Sequence, residues 1–256
     1  MFEPQNDLEH SLMRAATDPS QRPQFYRDLL AADIYLINVG GESLDIQDGV
    51  LSEGSNVQMQ SWRRDGEDWL PIFSSLPRLQ ECLQTESTYL QLNAKSFFEI
   101  TRGAHVILNP NLDYGKEFTA TEIEGMLDGS IFRTGQGYTA KQDTKVLIGQ
   151  PAEYPTALVK ALSRLFVKHR DIKAGYLAHF FNPERDERPH TLIGIDATGD
   201  WDSIVGDAGM VAKETLPENE IVDFVRVSAD DTGVSQYMLH GTKPFYKKSF
   251  LRNVFG

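Results

Sequence analysis

Residues 108–119, LNPNLDYGKEFT, carry the chain from a predicted strand into a predicted helix. Asn109-Pro110 ends the apolar strand and begins a turn, because a residue before proline is disfavoured in the helical region. Gly115 can supply a positive φ inside that turn. The stretch therefore predicts a strand end, a tight turn and a helix start in immediate succession.

The helix that follows is marked by three local signals. Thr119-Ala-Thr-Glu122 is a capping box, in which the two side chains accept hydrogen bonds from backbone N–H groups. Phe118 and Ile123 occupy the positions of a hydrophobic staple, and Gly129 is a helix stop. We predict a helix that begins after Thr119 and ends before Gly129.

Capping does not require the remaining polar residues of the stretch, and two interpretations stay open for them. Lys116 and Glu117 could form a solvated ion pair that contributes under ~1 kcal/mol. They could instead face a ligand or a partner beside the helix N-terminus, together with Tyr114. We keep Asn109, Tyr114, Gly115, Lys116 and Glu117 as candidate binding residues.

Composition limits the classes of protein and partner. The chain has 256 residues, 40% of them hydrophobic, and a net charge of -12. Such a charge repels nucleic acid and anionic membrane surfaces. The single cysteine, Cys82, cannot form an internal disulfide, and neither a signal peptide nor an apolar run of about 20 residues is visible. These features predict a soluble cytoplasmic protein with no nucleic-acid or membrane partner.

A change of pattern near residues 129–143, GSIFRTGQGYTAKQD, divides the chain. This segment is polar and rich in glycine, without sustained periodicity, which is typical of a linker. We predict a first domain over 1–130, a linker over 131–143 and a second domain over 144–256. Strand and helix patterns alternate in both halves, so we predict an α+β fold in which each domain is a mixed sheet with helices packed on it.

Short motifs that resemble known catalytic or cofactor-binding patterns are incomplete or lack the structural context that they need. HRDIK at 169–173 resembles a kinase catalytic loop, but Tyr176 stands where that loop needs a metal-binding asparagine. GQGYTA at 135–140 matches a dinucleotide fingerprint without the helix that would hold the pyrophosphate. The six histidines are scattered, and none has zinc-binding spacing. We therefore predict no catalytic residues, no metal site and no cofactor.

The closing segment is basic and aromatic, unlike the rest of the chain. Lys247 and Lys248 follow Phe245 and Tyr246, a combination that could bind an anionic partner surface. The alternative is a last strand that packs its aromatic rings while its lysines protect a sheet edge. Phe245 and Tyr246 are kept as candidate partner-binding residues.

Several stretches together resemble the enhanced serine sensitivity (SseB) family of bacterial proteins. They are LNPNLDYGKEFTATEIEGML, VLIGQPAEYPTALVKALSRLF, KPFYKK, LEHSLMRAATDPSQRPQFYRDLL and LPIFSSLPRLQ. The resemblance covers almost the whole chain and implies separate N-terminal and C-terminal domains. The family name refers to a growth phenotype, in which higher dosage accompanies sensitivity to serine, and it implies no enzyme chemistry.

Two functional hypotheses follow from the sequence. The first is a non-enzymatic accessory protein that binds another protein, such as an enzyme of amino-acid or sulfur metabolism. The second is a small-molecule binding protein or cryptic enzyme, with a site formed near Asn109, Tyr114, Lys116 and Glu117. The identity of the partner and the oligomeric state stay open at this point.

Overall fold

The computed structural model describes residues 2–40, 58–64, 66–83, 87–132, 145–217 and 220–249, and the backbone of 46–47 and 50–51. The chain forms two compact units, 1–131 and 132–256. Residues 133–144, most of the predicted linker, lie outside the described range. The domain and linker bounds therefore stay a prediction.

The N-terminal unit combines helices with short strands. Its helices are α1 (Asp7–Thr17), α2 (Arg22–Ala31), α3 (Leu76–Cys82), α4 (Ala94–Ile100) and α5 (Ala120–Asp128). Its strands are β1 (Asp33–Asn38), β2 (Ile46–Gln47), β3 (Val50–Leu51), β4 (Trp62–Arg64), β5 (Glu67–Ile72), β6 (Thr88–Asn93), β7 (His105–Leu108) and β8 (Lys116–Phe118). The helix predicted between Thr119 and Gly129 is confirmed with its complete capping box. One expectation was wrong: residues 116–118, predicted to lie in the turn before the helix, form strand β8 and pair with β7.

The described strands of the N-terminal unit form one mixed four-stranded sheet and two separate antiparallel pairs, one of them β2 with β3. Four of them lie in the order β4-β5-β7-β8, with β5 and β7 parallel and the other pairs antiparallel. Strands β1 and β6 form an antiparallel pair. Tyr35 and Phe73 exchange backbone hydrogen bonds of 2.9 and 2.8 Å, which join β1 to the end of β5.

One face of this sheet carries the helical core. Val106, Leu108 and Phe118 point to that face and are fully buried. The ring of Phe118 lies 6.4 Å from Phe25 of α2 and 6.2 Å from Phe98 of α4, measured between ring centroids. Burial of these large apolar side chains is the main stabilising term of the unit.

The C-terminal unit has longer elements. Its helices are α6 (Thr156–Lys168), α7 (Trp201–Thr215) and α8 (Val234–Gln236), which continues as a π-helix (Tyr237–Gly241). Its strands are β9 (Leu147–Gly149), β10 (Ile172–Phe181), β11 (His190–Ala197), β12 (Val222–Arg226) and β13 (Tyr246–Lys247). The sheet order is β12-β11-β10-β13, β9 also pairs with β10, and β11 and β12 run parallel.

Both faces of this second sheet are covered. Side chains of α6 and α7 pack with Leu177 and Ile193 on one face. The π-helix places Met238 against the other face, close to Gly194, where a Cβ would lie 3.2 Å from the Met238 Cγ. The two mixed sheets with packed helices confirm the predicted α+β fold. Among the described residues, no helix is long and apolar enough to cross a membrane.

Candidate functional site

The turn within 108–119 is built by its asparagines. Asn109 and Asn111 have φ of 50° and 61°, the left-handed region that asparagine tolerates better than most residues. The predicted positive φ of Gly115 is wrong. Glycine is required there for another reason, because a Cβ would lie 2.7 Å from the Asn109 carbonyl oxygen and 2.8 Å from that of Leu108.

Asn109 serves the fold. Its side chain is fully buried, its Oδ1 accepts a hydrogen bond of 2.9 Å from the Ser74 backbone N–H, and its Nδ2 donates one of 2.8 Å to the Ser74 Oγ. Its backbone N–H also donates to the Ile72 carbonyl at 2.8 Å. These bonds fasten the turn to the end of β5 and direct the side chain into the protein, away from any ligand at the surface.

Ser74 links Asn109 to a buried ion pair that sequence reasoning missed. Glu9 of α1 is 0% exposed and lies 3.0 Å from Arg78 of α3. The hydroxyls of Ser74 and Ser75 donate to its Oε1 at 2.8 and 2.9 Å. Burial by itself raises the pKa of Glu9, but the hydrogen bonds from Arg78, the backbone of residue 5 and the two serines together hold that pKa below its usual value.

Tyr114 extends this arrangement toward the surface. It is half-buried, and its ring meets Phe2 edge-on at a centroid distance of 5.1 Å. The Arg78 guanidinium lies 3.7 Å from the centroid of the same Phe2 ring. Tyr114 therefore packs the N-terminal segment against the network around Arg78.

Lys116 and Glu117 are consecutive residues of β8 and so point to opposite faces of the sheet. The Lys116 Nζ lies 3.2 Å from the Glu122 carboxylate and 5.0 Å from the centroid of the Phe118 ring. Glu117 pairs with Arg64 of β4. The expected side-chain ion pair between Lys116 and Glu117 is thus replaced by two separate pairs, one on each face.

Glu117 shares its face with an aromatic row, defined as Trp62, Trp69 and His105. Trp62 and His105 both align with Trp69 in the strand register, and all three side chains are half-buried. The rings of Trp69 and His105 lie 4.8 Å apart, and the buried Nδ1 of His105 has no hydrogen-bond partner among the described residues. Because Val106 faces the helices, the row lies on the opposite face.

At the other end of the chain, the two predicted aromatic residues anchor β13. Phe245 stacks on Phe166 of α6 at 5.8 Å, and Tyr246 meets the same ring edge-on at 5.6 Å. The Phe245 backbone N–H donates to the Gly175 carbonyl at 2.8 Å. A Cβ on Gly175 would lie 2.7 Å from the Phe166 ring, so the small residue permits this packing. Phe245 and Tyr246 act first as packing residues of the last strand.

The lysines beside them gather with other cations into a basic cluster, defined as Arg170, Lys173, Lys247 and Lys248. Lys247 pairs with Ala174 in the strand register. The Lys248 backbone N–H donates to the Lys173 carbonyl at 2.8 Å, and its Nζ donates to the Arg170 carbonyl. Arg170, Lys173 and Lys247 are exposed. Packing of the aromatic residues therefore fixes the lysines at the edge of the sheet.

A third group of charges surrounds His190 at the far end of the same sheet. The buried His190 ring lies 3.0 Å from Asp223 and 3.7 Å from Asp186, and Arg185 contacts both carboxylates, at 3.1 and 2.7 Å. The hydrogen bond from His190 is the main reason that the pKa of Asp223 is lowered, with Arg185 adding to it against the effect of burial. These contacts tie Arg185 of the loop and His190 at the start of β11 to Asp223 of β12.

Comparison with known proteins places the chain in a family. The SseB protein N-terminal domain model matches residues 8–125, and the SseB protein C-terminal domain model matches residues 140–248. "Protein SseB" of Escherichia coli (strain K12) and that of Shigella flexneri are each 30% identical over 257 residues, which is 99% of this chain and 97% of theirs. No solved structure is a significant match. The chain belongs to the SseB family.

Proposed function

We propose that the protein is a non-enzymatic accessory protein that binds another protein. The observation that carries the proposal is the aromatic row of Trp62, Trp69 and His105, which is half-buried on the sheet face opposite the helical core. Tryptophan is enriched among the residues that dominate binding energy, because its large ring fills a pocket and loses little conformational freedom. Two aligned tryptophans on neighbouring strands form such an anchor.

The polar residues next to the row support the same proposal. Glu117 lies on the face of the row and pairs with Arg64, which joins the two outer strands of the four-stranded sheet. An apolar centre with charged residues beside it is the usual anatomy of an interface. We expect the partner to place an apolar side chain against Trp62 and Trp69, with Glu117 at the rim of the contact.

The internal contacts of residues 109–117 argue against the alternative hypothesis, a small-molecule or catalytic site formed by this segment. Asn109 is bonded to Ser74, Tyr114 packs on Phe2, and Lys116 pairs with Glu122. A side chain held by internal bonds must break them before it can bind a ligand. We propose that this segment is the rigid support of the neighbouring face. An enzyme of amino-acid or sulfur metabolism is the partner class that the resemblance to serine-sensitivity proteins suggests.

The test is affinity capture from native lysate at physiological salt, with mass spectrometry of the captured proteins. Wild type is compared with Trp62→Ser and with Tyr89→Ser, a matched loss of an exposed aromatic residue elsewhere in the same unit. We expect a stoichiometric partner that wild type and Tyr89→Ser retain and Trp62→Ser loses. Circular dichroism melts establish that both variants are folded.

A partner retained by Trp62→Ser, or no stoichiometric partner at all, contradicts the proposed function. In the second case, a melting screen against metabolites, with serine first, tests the small-molecule alternative. A ligand that binds the native state raises the melting temperature. Loss of that rise in Lys116→Ala would place the ligand near the 109–117 segment.

A further inference from the structure

The basic cluster of the C-terminal unit is a second surface, distinct from the aromatic row, and we infer that it binds an acidic segment of a partner protein. Its four cations come from separate parts of the chain. Arg170 and Lys173 flank the start of β10, whereas Lys247 and Lys248 come from the β13 segment. Pairing of β13 with β10 at Ala174 and Gly175 brings these backbone segments together, and the Lys248 Nζ reaches the Arg170 carbonyl.

The cluster contrasts with the charge of the remaining chain. The chain has 25 Lys and Arg residues, of which 21 lie outside the cluster, and 37 Asp and Glu residues. The net charge outside the cluster is therefore -16. Three carboxylates lie at the same end of the sheet. Asp171 is exposed, Asp196 lies 3.9 Å from the Lys173 Nζ, and the exposed Asp200 follows Gly199, which abuts Asp171. The four cations exceed these three anions, which leaves a local positive surplus on a strongly anionic protein.

The size of the cluster decides which anionic partner it accepts. At physiological salt, charges separated by more than about 8 Å are largely screened. A short acidic segment can touch the cluster alone and avoid the repulsion of the remaining carboxylates. A nucleic-acid duplex or an anionic membrane extends far beyond that distance and would meet the -16 charge of the remainder. The contrast therefore favours an acidic protein segment.

The contact is made by side chains. Strand β13 contains two residues, Tyr246 and Lys247, too few for a partner strand to add along its edge. Lysine on an edge strand also discourages strand pairing. Val167 is 72% exposed and precedes Arg170 by three residues, which offers an apolar contact next to the charges. The matching partner segment has acidic residues on both sides of an aliphatic one.

The experiment measures binding of a fluorescein-labelled peptide of glutamates interrupted by one leucine, by anisotropy, at about 50 mM salt, where charge effects are large. A peptide with glutamine in place of glutamate is the neutral control. The full-length wild type is compared with Arg170→Glu/Lys247→Glu. The matched control is Lys160→Glu/Lys213→Glu, which reverses two exposed charges of the same unit elsewhere.

We expect the first double variant to weaken binding by about tenfold or more and the control by less than about twofold. The glutamine peptide should bind far more weakly than the glutamate peptide. Equal losses in the two double variants would overturn the inference, because total charge alone would then explain them. Tighter binding of duplex DNA or of phosphatidylserine vesicles, lost in Arg170→Glu/Lys247→Glu, would overturn it in favour of those partners.

This outcome is separable from that of the proposed function. Trp62 lies in the other unit, so Trp62→Ser should leave the peptide affinity unchanged. Peptide binding without partner capture would contradict the proposed function alone. Partner capture that depends on Trp62, without peptide binding, would contradict the basic cluster alone.

Discussion

Residues 109–118 and 243–248 both place lysine next to an aromatic residue in an outer strand of a sheet, but different forces hold them. The first segment is fastened by buried hydrogen bonds, from Asn109 through Ser74 to the ion pair of Glu9 and Arg78. The second is fastened by ring packing on Phe166. In the first segment, the polar side chains that hold the chain in place are already occupied by internal hydrogen bonds. In the second, aromatic rings hold the chain in place, and the neighbouring lysines stay at the surface. The second segment is therefore better suited to electrostatic recognition.

The largest effect is expected where the polar anchor is broken. Arg78→Leu leaves Glu9 as a buried carboxylate without its cation, and loss of one member of a buried ion pair costs about 3–5 kcal/mol. The measurement is denaturant unfolding followed by tryptophan fluorescence in a Trp201→Phe background. The two remaining tryptophans, Trp62 and Trp69, then report on the N-terminal unit.

Arg64→Leu is the matched control for this measurement. It breaks another Arg–Glu pair of the same unit, with Glu117, but both side chains are about half exposed. An exposed ion pair contributes at most about 1 kcal/mol. Equal destabilisation by Arg64→Leu and Arg78→Leu would show that burial does not set the strength of the first anchor.

Acid should weaken the same anchor to a smaller extent. The pKa of Glu9 is lowered in the folded protein, so its contribution is complete above the unfolded value of about 4.3 and is lost as the pH falls through the folded pKa. Protonation costs less than Arg78→Leu because the carboxyl group keeps some of its hydrogen bonds. The free energy of unfolding is measured between about pH 6 and pH 3. It should fall less steeply with decreasing pH in Glu9→Gln than in wild type. Parallel declines would exclude Glu9 as a source of the acid sensitivity.

The aromatic anchor is expected to be weaker still. Phe245→Ala removes a half-buried ring that stacks on Phe166, and we expect a loss of about 1–3 kcal/mol in the C-terminal unit. The measurement is denaturant unfolding followed by tryptophan fluorescence in a Trp62→Phe/Trp69→Phe background, in which Trp201 alone reports on the C-terminal unit. Tyr154→Ala, which removes an exposed ring of the same unit, should cost less than about 0.5 kcal/mol. A loss no larger than this control would mean that ring packing does not hold β13.

The same contrast explains which features could be predicted from sequence. The capping box of α5 depends on residues within one turn of helix, so local pattern was sufficient to predict it. The bond between Glu9 and Arg78 joins residues 69 positions apart, and its partners are ordinary surface residue types. Only the completed fold brings them together.

The aromatic row was missed for a related reason. Trp62 and Trp69 could be expected to pair across a short hairpin, but His105 joins them through a parallel pairing of β5 and β7. A parallel pairing follows a crossover whose register no local motif specifies. Prediction from local sequence was also incomplete within the 108–119 turn. The positive φ expected at Gly115 occurs instead at two asparagines.

The smallest predicted effect concerns Lys116, the residue of the first segment that most resembles the lysines of the second. Its Nζ reaches Glu122 at 3.2 Å with both side chains about one-third exposed, so Lys116→Ala should cost under about 1 kcal/mol. Lys95→Ala, which removes the looser pair with Glu99, is the control and should cost less. Unfolding in the Trp201→Phe background measures both variants. A cost close to that of Arg78→Leu would place Lys116 inside the buried anchor, and the division between the two segments would have to be withdrawn.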